Sequence, residues 1–343
     1  MTKRERVETA SRMGRPDLVP FVPAVYEHKA RLIGRSPSEV CRDASLLGEA
    51  LRRELETYDP DVLTVGVDVY NVEAEALGCR VRYFDRTPDV PAVASPIVAG
   101  PGDLAGLSLP DPERDGRMPL MLRAAAQAAQ EFGREMIVRG AVSGPFSMAS
   151  ALTGAEALLV ATVEDAGFVR PLLELCGRVT VAFGRAFLAR GAEVAVFDSK
   201  ASPQAASPRV FREFVLPVYR DLVMPALKES GARHLPLIIG GDTTPILGDL
   251  LETGATQLLC DAGADLERFK AECGRAGRPF RVNVDARLVH RGTAAEVRAE
   301  TMRILVRVKG QPGILVGCGV VAYDTDPANV LAIRDAVRAA AVV

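Results

Sequence analysis

Five aspartates stand at the points where five apolar runs stop: Asp68, Asp198, Asp242, Asp261 and Asp285. At these and other run ends lie Tyr26-Glu27-His28, Tyr70-Asn71, Gly144-Pro145-Phe146, Cys260, Asn283 and Cys318. Carboxylates gathered on one rim repel unless a cation binds among them or some hold a proton. Two chemistries fit such a set. Asp68, Asp242, Asp261 and Tyr70 are candidates to move protons at a reacting centre. His28, Glu27, Cys260 and Cys318 are candidate metal ligands, with Asp242 beside them, because zinc accepts nitrogen, oxygen and sulfur together. Tyr26, Asn71, Phe146, Asp198, Asn283 and Asp285 are candidates to hold a substrate. A plainer reading stands beside several of these. Within Gly240-Gly241-Asp242-Thr243-Thr244, Asp242 can simply cap a helix. Cys318 can be a small core residue, and His28 a hydrogen-bonded turn histidine. Capping does not extend to Asn283, Cys318 or His28. His234 and His290 lie in polar stretches and receive no role.

What must position these residues is an alternation of short and long elements. Runs rich in Val, Ile and Leu predict strands over 18–26, 62–68, 136–143, 193–198, 235–240, 257–261, 280–285 and 313–317. Amphipathic stretches between them predict helices over 37–58, 118–132, 168–190, 208–229, 247–253, 266–276, 294–308 and 327–341. Ser36-Pro37-Ser38-Glu39 and Asp326-Pro327 are helix starts, with proline in the first turn. Apolar strands that each lead into a helix imply a parallel sheet covered on its faces. Eight such units in 343 residues fit a closed (β/α)8 barrel, an α/β fold of one domain spanning 1–343. No G-x-G-x-x-G follows the first strand, which argues against the open doubly wound alternative. A helical extension precedes the barrel, and a Pro-, Gly- and Asp-rich excursion over 84–117 follows the second strand. In a barrel the strand C-termini share one mouth, where chemistry belongs.

Composition narrows the classes. A formal charge of -2 with no basic block leaves no nucleic-acid footprint. The charged start Met-Thr-Lys-Arg-Glu-Arg has no apolar stretch behind it, as a signal peptide would. No apolar run approaches the roughly 18 residues of a membrane span. A cytoplasmic location is expected. The six cysteines are scattered without a C-x-x-C pair and read as reduced thiols.

Several segments resemble the uroporphyrinogen decarboxylase superfamily. They are Gly-Ala-Glu-Val-Ala-Val-Phe-Asp-Ser at 191–199, Ala-Ser-Pro-Arg-Val-Phe-Arg-Glu-Phe-Val-Leu-Pro-Val-Tyr at 206–219, and Gly-Pro-Phe-Ser-Met at 144–148. Asn283-Val-Asp285, Gly317-Cys318-Gly319 and Asp326-Pro327-Ala328-Asn329-Val330 complete the pattern in the expected order. The resemblance implies a (β/α)8 barrel, in agreement with the independent strand count. It also implies one of two chemistries. Decarboxylases of this superfamily carry an N-terminal Arg-Gln-Ala-Gly-Arg-Tyr segment, where this chain has Val25-Tyr26-Glu27-His28-Lys29-Ala30-Arg31. Their tyrosine and histidine positions hold Ala151 and Cys318, and only the carboxylate Asp68 is kept. A substrate with many carboxylates needs several arginines.

The other branch, closer in pattern, comprises methylcobamide:coenzyme M methyltransferases and related corrinoid-dependent demethylases. Its zinc ligands are a His-x-Cys after the fifth strand and a Cys after the eighth. Cys318 falls on the last, but the other two positions are Ile238 and Gly240. The resemblance thus implies a methyltransferase or demethylase. It would move a methyl group between a small substrate, such as an O-methyl compound, and a corrinoid (cobalamin) on a separate partner protein. No Asp-x-His-x-x-Gly cobalamin motif occurs in this chain. Zinc on the mixed ligand set above would polarise a leaving oxygen. A metal-free version would use Asp68, Asp261, Asp285, Tyr70 and Asn283 on a substrate such as a pterin. A decarboxylase of a small carboxylic acid or porphyrinogen-like substrate and a non-catalytic ligand-binding paralogue are the alternatives. Superfamily members occur as monomers or homodimers.

Overall fold

The computed structural model describes residues 1–340, so the last residue of the helix expected over 327–341 lies outside them. Eight staves close a parallel barrel. The second stave, Val62–Val65, pairs with the third, Ile137–Ser143, which pairs with the fourth, Glu193–Phe197, and that with the fifth, Leu237–Ile238. A bridge between Pro236 and Gln257 passes to the sixth, Leu258–Cys260. The seventh and eighth are Phe280–Val284 and Ile314–Cys318. Bridges Phe21–Val316 and Ala24–Val320 seat the first stave beside the eighth. The Asp61 amide donates to the Phe21 carbonyl at 2.8 Å and completes the ring.

The first stave is thinner than its apolar run suggested. Pro20 and Pro23 have no N–H to give to a ladder, so isolated bridges replace a continuous strand. The helix expected over 37–58 is two helices, Pro37–Val40 and Ala44–Tyr58. Asp43 accepts the Ser45 and Leu46 amides and starts the second. The stretch 208–229 is helical but widened into π turns at Phe211–Val215 and Tyr219–Val223. Each π turn runs up to the segment carrying Pro217 or Pro225, whose rings would clash with an ordinary α turn. Ala92–Val93 of the excursion after the second stave pairs with Val81–Arg82, just ahead of it.

Strand alternation sorts the side chains into two populations. Val22, Val62, Ile137 and Leu315 face the lumen and meet Val7 and Ala10 of the N-terminal helix Lys3–Ser11, which plugs the floor. Higher in the lumen lie Ala24, Tyr26, Ala195, Phe197, Ile238 and Leu259. Their neighbours in each strand, such as Val142, Val194, Val282, Val284 and Val316, face the helix layer and form the main core. A buried ion pair locks the end of the first stave: Lys29 Nζ lies 3.0 Å from Glu54 and donates to the Thr64 carbonyl at 2.7 Å. Removing one partner of such a pair costs about 3–5 kcal/mol. Among the described residues no single helix is long and apolar enough to cross a membrane.

Candidate functional site

The lumen-facing ends of the staves bring together Tyr26, Tyr70, Asp261 and Asn283. Tyr26 meets Phe197 edge to face with centroids 5.4 Å apart, and Tyr70 packs on the same cluster. The Tyr70 hydroxyl bonds Ser199 Oγ at 2.5 Å, and burial pushes its pKa up to about 12. Asp261 is held from two sides. Its Oδ2 accepts the Gly241 amide and its Oδ1 the Asn283 side-chain amide, both at 2.8 Å. Gly241 takes φ +80°, a backbone state that favours glycine, and so presents its N–H to the carboxylate. Buried Asn283 Oδ1 has no partner and is left as an open acceptor.

The five aspartates do not form one anionic rim. Each carboxylate is answered separately. Asp68 Oδ1 accepts the Tyr70 and Asn71 amides and Asn71 Nδ2, while Oδ2 takes Arg117 at 2.9 Å. With both oxygens engaged, Asp68 is a buried anchor for the excursion that ends at Arg117. Asn71 serves the same anchor, since its Nδ2 also donates to the Pro91 carbonyl at 2.6 Å. Asp198 is fully buried; it accepts the Ser147 amide and the Tyr219 hydroxyl at 2.6 Å, and the Phe146 amide at 3.3 Å. It thereby caps the helix Pro145–Thr153, although burial still raises its pKa. Phe146 itself packs in the outer core. Asp242 accepts the Thr244 amide at 2.9 Å and turns its own loop. Asp285 is exposed and caps Ala286–Arg291 through the Arg287 and Leu288 amides.

The candidate metal ligands diverge. His28 is fully buried; its Nδ1 faces the Ala322 and Tyr323 carbonyls at 3.1 and 3.0 Å, so that nitrogen carries the proton. Nε2 then accepts from the Tyr58 hydroxyl at 2.6 Å, and burial lowers the pKa of the ring. No lone pair is free for a metal. Cys260 and Cys318 pair in register with Val282 and Val284, so both thiols face the helix layer rather than the lumen. Burial lifts their pKa values to about 12 and about 11. Cys318 is 0 % exposed. Among the described residues no three His, Cys, Asp or Glu side chains lie close enough to hold a metal ion. The zinc expectation therefore does not fit these side chains, either on the mixed set or at Ile238 and Gly240, which offer no donor.

Glu27 behaves differently. It opens the helix His28–Leu32 at the mouth end of the first stave without bonding that helix's amides. Burial raises its carboxyl to about 7, with the nearby Lys29 charge only partly opposing this. Glu73 is also raised by burial to about 7, but it is bonded to the Ser143 amide at 2.6 Å and the Ser143 hydroxyl at 3.1 Å. Glu73, Arg117, Tyr219, Arg139 and Arg281 all escaped the sequence reading. For the two lumen arginines a signal existed: Ile-Val-Arg-Gly-Ala-Val and Phe-Arg-Val-Asn-Val place a cation inside an otherwise apolar strand. A cleft of 250 Å³ lined by Pro16, Val19, Leu305, Val306 and Ile314 opens at the barrel's other end, remote from these groups.

Comparison with known proteins fits this geometry. Residues 2–340 match the family model described as uroporphyrinogen decarboxylase. The chain belongs to the uroporphyrinogen decarboxylase family. Within that family it is 27% identical over 335 residues to the methylcobamide:CoM methyltransferase MtbA of Methanosarcina mazei, covering 96% of this chain and 95% of the relative. A uroporphyrinogen decarboxylase of Azotobacter vinelandii is 26% identical over 315 residues, covering 87% and 84%. A solved methyltransferase structure from Methanosarcina mazei superposes with a TM-score of 0.87 at 21% identity, covering 99% of both chains, and supports the barrel fold.

Proposed function

We propose that the protein is an enzyme that transfers a methyl group between a small substrate, of the O-methyl class, and the corrinoid of a separate protein. The methyltransferase names of relatives aligned over nearly the whole chain support the transfer class. The chemical part rests on Glu27, a carboxyl at the mouth end of the first stave that bonds none of its helix's amides and that burial raises to about 7. Glu27 would give its proton to the leaving oxygen as the carbon–oxygen bond breaks and the methyl group passes to the corrinoid. Asn283 Oδ1 and the Tyr26 ring would orient the substrate above Asp261. No step runs through a protein-bound zinc. Decarboxylation finds less support, because Asp68 has both oxygens occupied.

The test is methylcobalamin formation from cob(I)alamin, free or on a purified corrinoid protein, with a panel of aryl and alkyl methyl ethers. Glu27→Gln should cut the rate by about 10²-fold or more, the range of a lost general acid. Wild-type activity should fall as pH rises through about 7, where Glu27 loses its proton. A folded wild-type protein that moves no methyl group in either direction would be a ligand-binding paralogue. Full activity in Glu27→Gln would remove the acid role alone.

A further inference from the structure

Two guanidinium groups lie inside the barrel without a carboxylate partner. Arg139, from the third stave, donates through Nε to Thr64 Oγ1 at 2.9 Å. Arg281, from the seventh, donates through Nη1 to the Val22 carbonyl at 3.3 Å. Thr64 and Val22 sit on neighbouring staves, so arginines rooted on opposite sides of the barrel carry their heads to the same wall. Their strand registers place both side chains in the lumen, Arg281 level with Leu315 and Arg139 between Ile137 and Ala141. Arg139 Nη2 and Arg281 Nε are buried and bond nothing.

The unpartnered donors and the charge both point to a missing partner. The polar groups within reach are few, because the other lumen side chains at these levels are apolar: Ala24, Ile137, Ala141, Ala195 and Leu315. Thr64, Arg139 and Tyr26 retain 6 %, 4 % and 4 % exposure. A buried cation is ordinarily matched by an anion, and like charges sharing a low-dielectric space repel. Burial draws the Arg139 guanidinium down to about 10; the Tyr26 phenol and, beyond ion-pair distance, the Glu54 carboxylate oppose this, and the Arg281 charge adds to it. Lys29 does not face the same deficit, because Glu54 answers it.

We infer that Arg139 and Arg281, beneath Tyr26, form an anion subsite that takes a small carboxylate, supplied by the substrate's own anionic end or by a free acid. A carboxylate offers two separated oxygens to two N–H donors, whereas a halide ion has a single acceptor centre. The site is argued from side chains alone and does not depend on methyl transfer.

The test uses the full chain, with no corrinoid present. Sodium acetate, and separately sodium bromide, is titrated at constant ionic strength while heat and melting temperature are followed. Saturable acetate binding is expected, at least tenfold weaker in Arg139→Gln and in Arg281→Gln. If either variant fails to fold, Arg139→Lys and Arg281→Lys keep the charge but lose the planar donor pattern, and the same weakening is expected. With a methylated carboxylic acid as probe, binding at least tenfold tighter than acetate would identify the substrate's own end as the source. Binding no tighter than acetate would identify a free acid. The inference is overturned if acetate gives no saturable effect in the wild type, if bromide binds as well as acetate, or if binding persists in the arginine variants.

Discussion

Replacing Glu73 with Gln offers a direct reading of the proton held between the second and third staves. Glu73 is buried on the helix Val72–Ala76 and accepts both the amide and the hydroxyl of Ser143. Burial lifts its pKa from 4.5 to about 7. A carboxyl whose pKa is higher in the folded state binds its proton more tightly there. Its contribution is therefore fully present below about pH 4.5 and is lost as pH rises through about 7. At about 1.4 kcal/mol per pH unit, the total swing is about 3.5 kcal/mol, of which about 2.5 kcal/mol falls between pH 5 and pH 8. Glutamine keeps an acceptor for the Ser143 amide and has no proton to lose. Urea unfolding of wild type and Glu73→Gln at pH 5, 6, 7 and 8 gives the stability difference at each pH. Glu27, raised by burial to a similar pKa, is present in both proteins and cancels. The variant should gain on the wild type by about 2–3 kcal/mol across that range. A difference that stays flat with pH would refute the reasoning, because Glu73 would then be ionised in the fold or as exposed as in the unfolded chain.

Tyr219→Phe removes one of three donors to the buried Asp198 carboxylate and should cost about 1.5–3 kcal/mol, read as a lower urea midpoint. All six cysteines are free and buried, so a thiol-colouring disulfide reagent should react with none of them quickly in the native protein and with all six in urea. Rapid native labelling at Cys318 would show that its thiol opens to the mouth instead of the helix layer.

Much of the barrel was legible without coordinates. Apolar runs such as Val194-Ala-Val-Phe197 and Ile314-Leu-Val316 are continuous because parallel strands are buried on both faces, and that property is local. The helix Met118–Phe132 coincides with its expected span, since its apolar spacing and its proline in the first turn need no tertiary contact. The candidate site was less legible. Cys318 and Cys260 stand at strand ends as expected, yet the residue they pair with turns them outward; a one-residue step decides the face, and only the register carries that step. His28 reads as a ligand until the carbonyls of Ala322 and Tyr323, almost 300 residues away, claim its proton.

Composition and periodicity determined that this chain closes a barrel with polar strand ends, because burial of an apolar pattern is a property each segment carries alone. Tertiary structure decided which carboxylates are spent as anchors, that burial raises the carboxyls of Glu27 and Glu73, and that two arginines share the lumen. Those outcomes depend on distant partners and on exclusion of water, which no single segment contains.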